Sequence, residues 1–156
     1  MNMPFREKSI WISLISTMLI FGDYFLNVIA LGELPGAVAK TTALELAVHA
    51  FVLIIIVEMI FQTILALSNH QAAKLGADER DKSFDYRGNN FGYTVLVICV
   101  LLTLGRMVSL EISPEFIEQF KVLNIPFLTA HILLFSFILS EVVRFSAPLY
   151  YYRRCD

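Results

Sequence analysis

Apolar and polar positions along the chain fall into long blocks rather than alternating. Four apolar runs, Ile10–Leu31, Ala43–Leu67, Asn90–Leu110 and Ile125–Ala147, are separated by segments richer in charge, Gly and Pro. Each run is about 21 to 25 residues, and at about 1.5 Å rise per residue it covers the roughly 30 Å of hydrocarbon in a bilayer. Backbone amides find no water there, so the runs are expected as helices. The turn-punctuated alternation of a barrel strand is absent. The predicted architecture is all-α: an integral membrane four-helix bundle forming one domain over residues 1–156.

The connections sharpen the boundaries. "GELPGA" (Gly32–Ala37) reads as a turn from its Gly and Pro. Thr42 followed by Glu45 has the spacing of a capping box for the second helix. In the second connection between outer ends, Ser113-Pro114 is a cap followed by Pro at the first helical position. Phe116, Ile117, Phe120 and Leu123 then share a face, predicting a short amphipathic helix at the interface, broken by Asn124 and Pro126. Pro148 is expected to end the fourth helix, with Tyr150–Tyr152, Arg153 and Arg154 as an interfacial anchor. Asp78 and Asp81 have cap spacing; a helix starting there and running into the third span would project about 15 Å beyond the bilayer, with Gly88 and Gly92 as its weak points.

Composition strengthens this reading. With 57% hydrophobic and 17% charged residues, the chain has too few polar groups to cover its apolar side chains in water. The net charge of −2 says little, because charge is segregated. Lys and Arg occur nine times at the N-terminus, in the 68–89 loop and at the C-terminus, against Lys40, Arg106 and Lys121 on the other side. The positive-inside rule therefore places both termini and the 68–89 loop in the cytoplasm. That loop carries both signs in "DERDKSFDYR" (78–87), unlike a simple lipid-binding polybasic patch. There is no basic stripe, and direct nucleic-acid binding is not expected. Cys99 lies within a span and Cys155 near the C-terminus, a placement that does not suggest a disulfide. The first run is too long for a signal peptide, contains Asp23 and lacks a small-x-small cleavage site, so it is expected to be retained.

Ionisable groups inside hydrocarbon need a reason. Ser9, Ser13, Ser16, Asp23 and Asn27 form a stripe on the first span; Glu58 and Gln62 lie near the centre of the second, pointing almost opposite to Glu45 and His49; His131 is on the outer half of the fourth. One reading is a proton or cation site between helices, using Asp23 and Glu58 with His131, in a small oligomeric transporter or channel. The other is interhelical hydrogen bonding by Asp23, Asn27, Glu58 and Gln62, contributing about 0.6 kcal/mol each. A remote third is a single haem held by His49 and His131. No zinc spacing, phosphate loop or nucleophile elbow appears, so neither a resident cofactor nor an enzymatic activity is expected.

The charged segment has three readings as well. Glu79, Arg80, Asp81, Phe84 and Arg87, with Glu141 and Arg144, form a latch between the third and fourth spans, or a docking face for a cytosolic protein with Phe84 as its apolar anchor, or an inert solvated loop. Glu141 and Arg144, three apart, are expected to pair with each other.

"FREKSIWISL" (5–14), "ADERDKSFDYRG" (77–88), Tyr93, "SEVVRF" (140–145) and "LYYYRR" (149–154) resemble a group of small bacterial four-span membrane proteins of unassigned activity. These show an F-R-E-K-S-x-W start, a D-E-R-[DE] motif before the third span, and an S-E-x-x-R then Y-R-R ending. The resemblance covers nearly the whole length. Asn90 departs from it, standing where a second basic residue after Arg87 is expected, and Cys155 replaces a terminal glycine; the first departure weakens an anion-binding role for this loop. The resemblance implies residence in the bacterial inner membrane. Some members lie beside helix-turn-helix regulators, which implies a regulatory or scaffold role engaging a cytosolic regulator.

Overall fold

A computed structural model describes residues 4–68, 78–112 and 125–154. Four long helices make up almost all of it: α1 Phe5–Ala30, α2 Gly36–Ser68, α3 Glu79–Ile112 and α4 Leu128–Arg154. A 3-10 turn, Leu31–Glu33, joins α1 to α2, and no strand occurs among the described residues. All four helices are long and apolar enough to cross a membrane. The amphipathic helix expected over 113–124 lies outside the described residues, as do His70 and Cys155.

Local sequence accounts for where the helices begin, with two corrections. α2 starts at Gly36, immediately after Pro35, whose carbonyl accepts the Ala39 N–H at 2.9 Å. Thr42 and Glu45 are therefore interior to the helix and form no capping box, because Pro35 has already opened the helix a turn and a half earlier. At α3 the expected cap is present. The Asp81 N–H donates to Asp78 Oδ1 at 2.7 Å, and the Asp78 N–H to Asp81 Oδ2 at 3.4 Å. From this reciprocal cap α3 runs unbroken through Gly88 and Gly92. Its first eleven residues, ahead of the apolar run, add about 16 Å of helix.

Pro148 is the second correction, for α4 continues through it to Arg154. A proline inside a helix withholds the N–H that would bond the carbonyl four residues back, here Arg144. That carbonyl faces Gly88: a Cβ on Gly88 would sit 2.6 Å from Arg144 O and 2.8 Å from the Pro148 ring. At Gly92 a Cβ would meet Ser140 O and Arg144 Cβ, each at 2.9 Å. Gly88-x-x-x-Gly92 is a small-residue stripe one turn apart, and it lets α3 lie backbone-close on the Ser140–Arg144–Pro148 ridge of α4.

The helices pack in the order α2, α1, α4, α3, with the α3–α4 contact the most extensive. Interhelical bonds place the N-terminus of α1, the C-terminus of α2, the N-terminus of α3 and the C-terminus of α4 at one end, hereafter the terminal end. One buried cluster there joins Ile10, Leu14, Phe84, Leu149 and Tyr152. A second, toward the other end, includes Phe21, Tyr24, Val28, Leu31, Ala43 and Ile138. The outward faces remain apolar: Ile55, Met59, Leu101 and Leu102 are each 60% to 69% exposed. Apolar surface on that scale needs a non-aqueous surrounding.

Substituting Gly92 by Leu should force α3 away from α4 and destabilise the chain by about 1–3 kcal/mol. Gly105→Leu, at a position open on all sides, should have little effect; reversible unfolding in mixed detergent micelles compares the two.

Candidate functional site

The charged segment at the start of α3 is helical and fastened at three points. Asp81 accepts a hydrogen bond from the Tyr152 hydroxyl of α4. Asp85 forms an ion pair with Arg6 of α1. Phe84 is buried, stacked on Tyr151 at 5.7 Å between ring centroids and edge-on to Tyr152 at 5.0 Å. Arg80 lies over the Phe84 ring at 5.3 Å and Arg87 over Tyr151 at 4.9 Å, each a cation–π contact. Glu79 is exposed. Phe84 is thus built into the junction between helices, while Tyr86, 73% exposed, is the aromatic side chain presented outward from this stretch.

Two acidic groups are engaged by these contacts. Asp81 and Asp85 face Tyr152 and Arg6, whereas Lys82, Arg87, Arg153 and Arg154 are exposed. Asp78 and Glu79 are exposed as well, so the surface of this stretch displays both signs, as its sequence does.

Glu141 and Arg144 pair at 2.7 Å, as their spacing predicts, but neither meets the residues of α3 by its charge. Arg144 instead lies beside Phe145, with its guanidinium 4.6 Å from the ring centroid. The close crossing at Gly92 turns it toward α1 and α2.

On that side the intramembrane polar residues sort into two groups. Ser13 donates to Glu58 Oε2 at 2.9 Å, Ser9 donates to Gln62 Oε1 at 2.8 Å, and the Gln62 amide donates to Ser13 Oγ at 3.1 Å and to Glu58 Oε2 at 3.3 Å. This clamp holds α2 on α1. The other carboxylate oxygen, Glu58 Oε1, is buried without a hydrogen-bond partner. Asp23 and Asn27, by contrast, are exposed, and Asn27 bonds only the Asp23 backbone carbonyl, at 2.8 Å. Asp23 is ten residues from Ser13, about 15 Å along the helix, so the structure does not join it to Glu58. His131 is buried and shares a 2.6 Å hydrogen bond through Nδ1 with the Tyr24 hydroxyl, while His49 is exposed on α2; the two imidazoles have separate surroundings. Among the described residues no group of three His, Cys, Asp or Glu side chains could hold a metal ion.

Two cavities flank Arg144. A cleft of about 420 Å³ lies between α1, α2 and α4, lined by Phe21, Phe51, Glu58, Phe137 and Glu141 among others. A smaller polar one of about 170 Å³ opens at the terminal end, lined by Arg6, Ser9, Asp85 and Asn89. Ser13, Arg144 and Phe145 border both. The sequence reading missed the partners Tyr152 and Arg6 and the two cavities. The G-x-x-x-G spacing in "GNNFG" (88–92) could have located the α3–α4 crossing beforehand.

Compared with known proteins, the chain matches no family model, no curated protein and no solved structure.

Tyr152→Phe should weaken the junction by about 1 kcal/mol, the worth of one partly exposed hydrogen bond. Hydrogen exchange of the amides in Glu79–Gly88 should rise in that variant, and stay unchanged in Tyr150→Phe, whose hydroxyl bonds only Arg154 within its own helix.

Proposed function

We propose that this chain is a multi-pass protein of the bacterial inner membrane, without enzymatic activity, that engages a cytosolic regulator through the projecting end of α3. Both termini and the 68–89 segment lie in the cytoplasm in this reading, which rests on the excess of Lys and Arg at that end. The observation that carries it is the fastening of α3. A charged stretch with no function could be a solvated loop, whereas this one is a capped helix pinned to both α1 and α4. Pinning removes conformational entropy before any partner arrives, which is the condition for binding through a small surface. Glu79, Lys82, Tyr86 and Arg87 are exposed there, an aromatic ring among charges of both signs, which suits a partner surface of complementary mixed charge. The motif likeness to bacterial four-span proteins found near DNA-binding regulators agrees with this assignment.

Reporter fusions after Lys74 and after Glu115 should light up in opposite compartments, with the Lys74 fusion cytosolic. Capture in mild detergent should return a cytosolic protein that is lost when Lys82→Glu and Tyr86→Ala are combined. Recovery of the same proteins with and without these substitutions sinks the docking assignment while leaving the topology intact.

A transport role draws on Glu58, which borders a cleft, rather than on Asp23, which is exposed and not joined to it.

A further inference from the structure

The cleft between α2 and α4 has the composition of a ligand site rather than of a packing gap. α2 and α4 both pack on α1 but not extensively on each other, so the space above α1 opens sideways. Its rim is aromatic: Phe51 and Phe137 are 44% and 47% exposed, and Phe21 meets Phe51 edge-on at 6.0 Å below them. At about 420 Å³ it falls within the usual range for small-molecule pockets, roughly 300–1,000 Å³.

Charge decides what fits. Three charged side chains line the cleft: Glu58, Glu141 and Arg144. Arg144 is matched by Glu141 at 2.7 Å, which leaves Glu58 as the surplus. Its Oε2 is saturated by Ser13 and Gln62; its Oε1, like the Nε of Arg144, is buried without a hydrogen-bond partner. The excess of one carboxylate over the single guanidinium favours a cation, and the surrounding ring faces favour one that is large, weakly hydrated and apolar at its periphery. A metal ion would need several oxygen ligands, and one free oxygen among phenylalanines does not provide them.

We infer that the α1–α2–α4 cleft binds a lipophilic onium cation, a quaternary ammonium or phosphonium, which enters sideways from the bilayer and sets its charge beside the Glu58 side chain between Phe51 and Phe137. The site is independent of the docking surface on α3. It gives the transport alternative a ligand class, yet equilibrium binding reports on it whether or not the ligand is moved across the membrane.

The test is equilibrium binding of radiolabelled tetraphenylphosphonium to the full chain in detergent, with tetraphenylborate, nearly identical in shape and opposite in charge, as the comparison. The phosphonium should bind and the borate should not. Glu58→Gln keeps an acceptor for Ser13 and Gln62, so the clamp survives, but it should weaken phosphonium binding at least tenfold. Glu58→Asp should retain part of the affinity. Phe137→Ala, which removes a rim ring and no hydrogen bond, should weaken it several-fold at unchanged thermal stability. Equal binding of both ions, undiminished binding by Glu58→Gln, or no phosphonium binding by the folded wild type would each overturn the assignment. So would finding the cleft filled by α3 of a second copy.

Discussion

The approach of α3 to α4 at Gly88 and Gly92 governs the rest of the arrangement. Lipid supplies no hydrophobic push between apolar helices, so association depends on how closely backbones can come and on what polar groups meet when they do. Here one helix contributes two glycines and the other a proline that frees a carbonyl, and the contact is made backbone to backbone. Everything at the terminal end follows from that depth of contact. Phe84 reaches the tyrosines of α4, Asp81 reaches Tyr152, and the Arg144 side chain pairs with Glu141 at the border of the cleft.

The α1–α2 contact is held differently, by side chains rather than backbone. The Ser9–Ser13–Glu58–Gln62 clamp adds about 2 kcal/mol in sum, at ~0.6 kcal/mol per bond. A charged carboxyl at mid-membrane depth costs about 2.5–3.5 kcal/mol on insertion scales. Glutamine at position 58 would accept the same Ser13 and Gln62 bonds without a charge. Hydrogen bonding within the clamp therefore does not by itself require glutamate at this position.

The number and apolar character of the helices were legible in the chain because a bilayer imposes one rule on every span, and that rule is written in composition. The Asp78–Asp81 cap and the Glu141–Arg144 pair were legible for a related reason: both are local, set by helical spacing. What depended on contacts between distant segments was not. Asp23 and Ser16 lie within about 20° of each other on a helical wheel, yet Ser16 is buried and Asp23 exposed, since a neighbouring helix covers α1 at one level and not at the other. Phe84 read as an apolar anchor awaiting a partner because its partners, Tyr151 and Tyr152, are almost seventy residues away. Pro148 read as a stop because a proline's penalty is local, while the glycine that accommodates it sits on another helix.

Ser13, Arg144 and Phe145 form a party wall one side chain thick between a polar vestibule at the terminal end and an oily recess facing the bilayer. The vestibule is bounded by Asp85 on α3, the recess by Glu58 on α2. The Arg144 guanidinium is thus bordered on one side by the polar space beside the projecting helix and on the other by the apolar one.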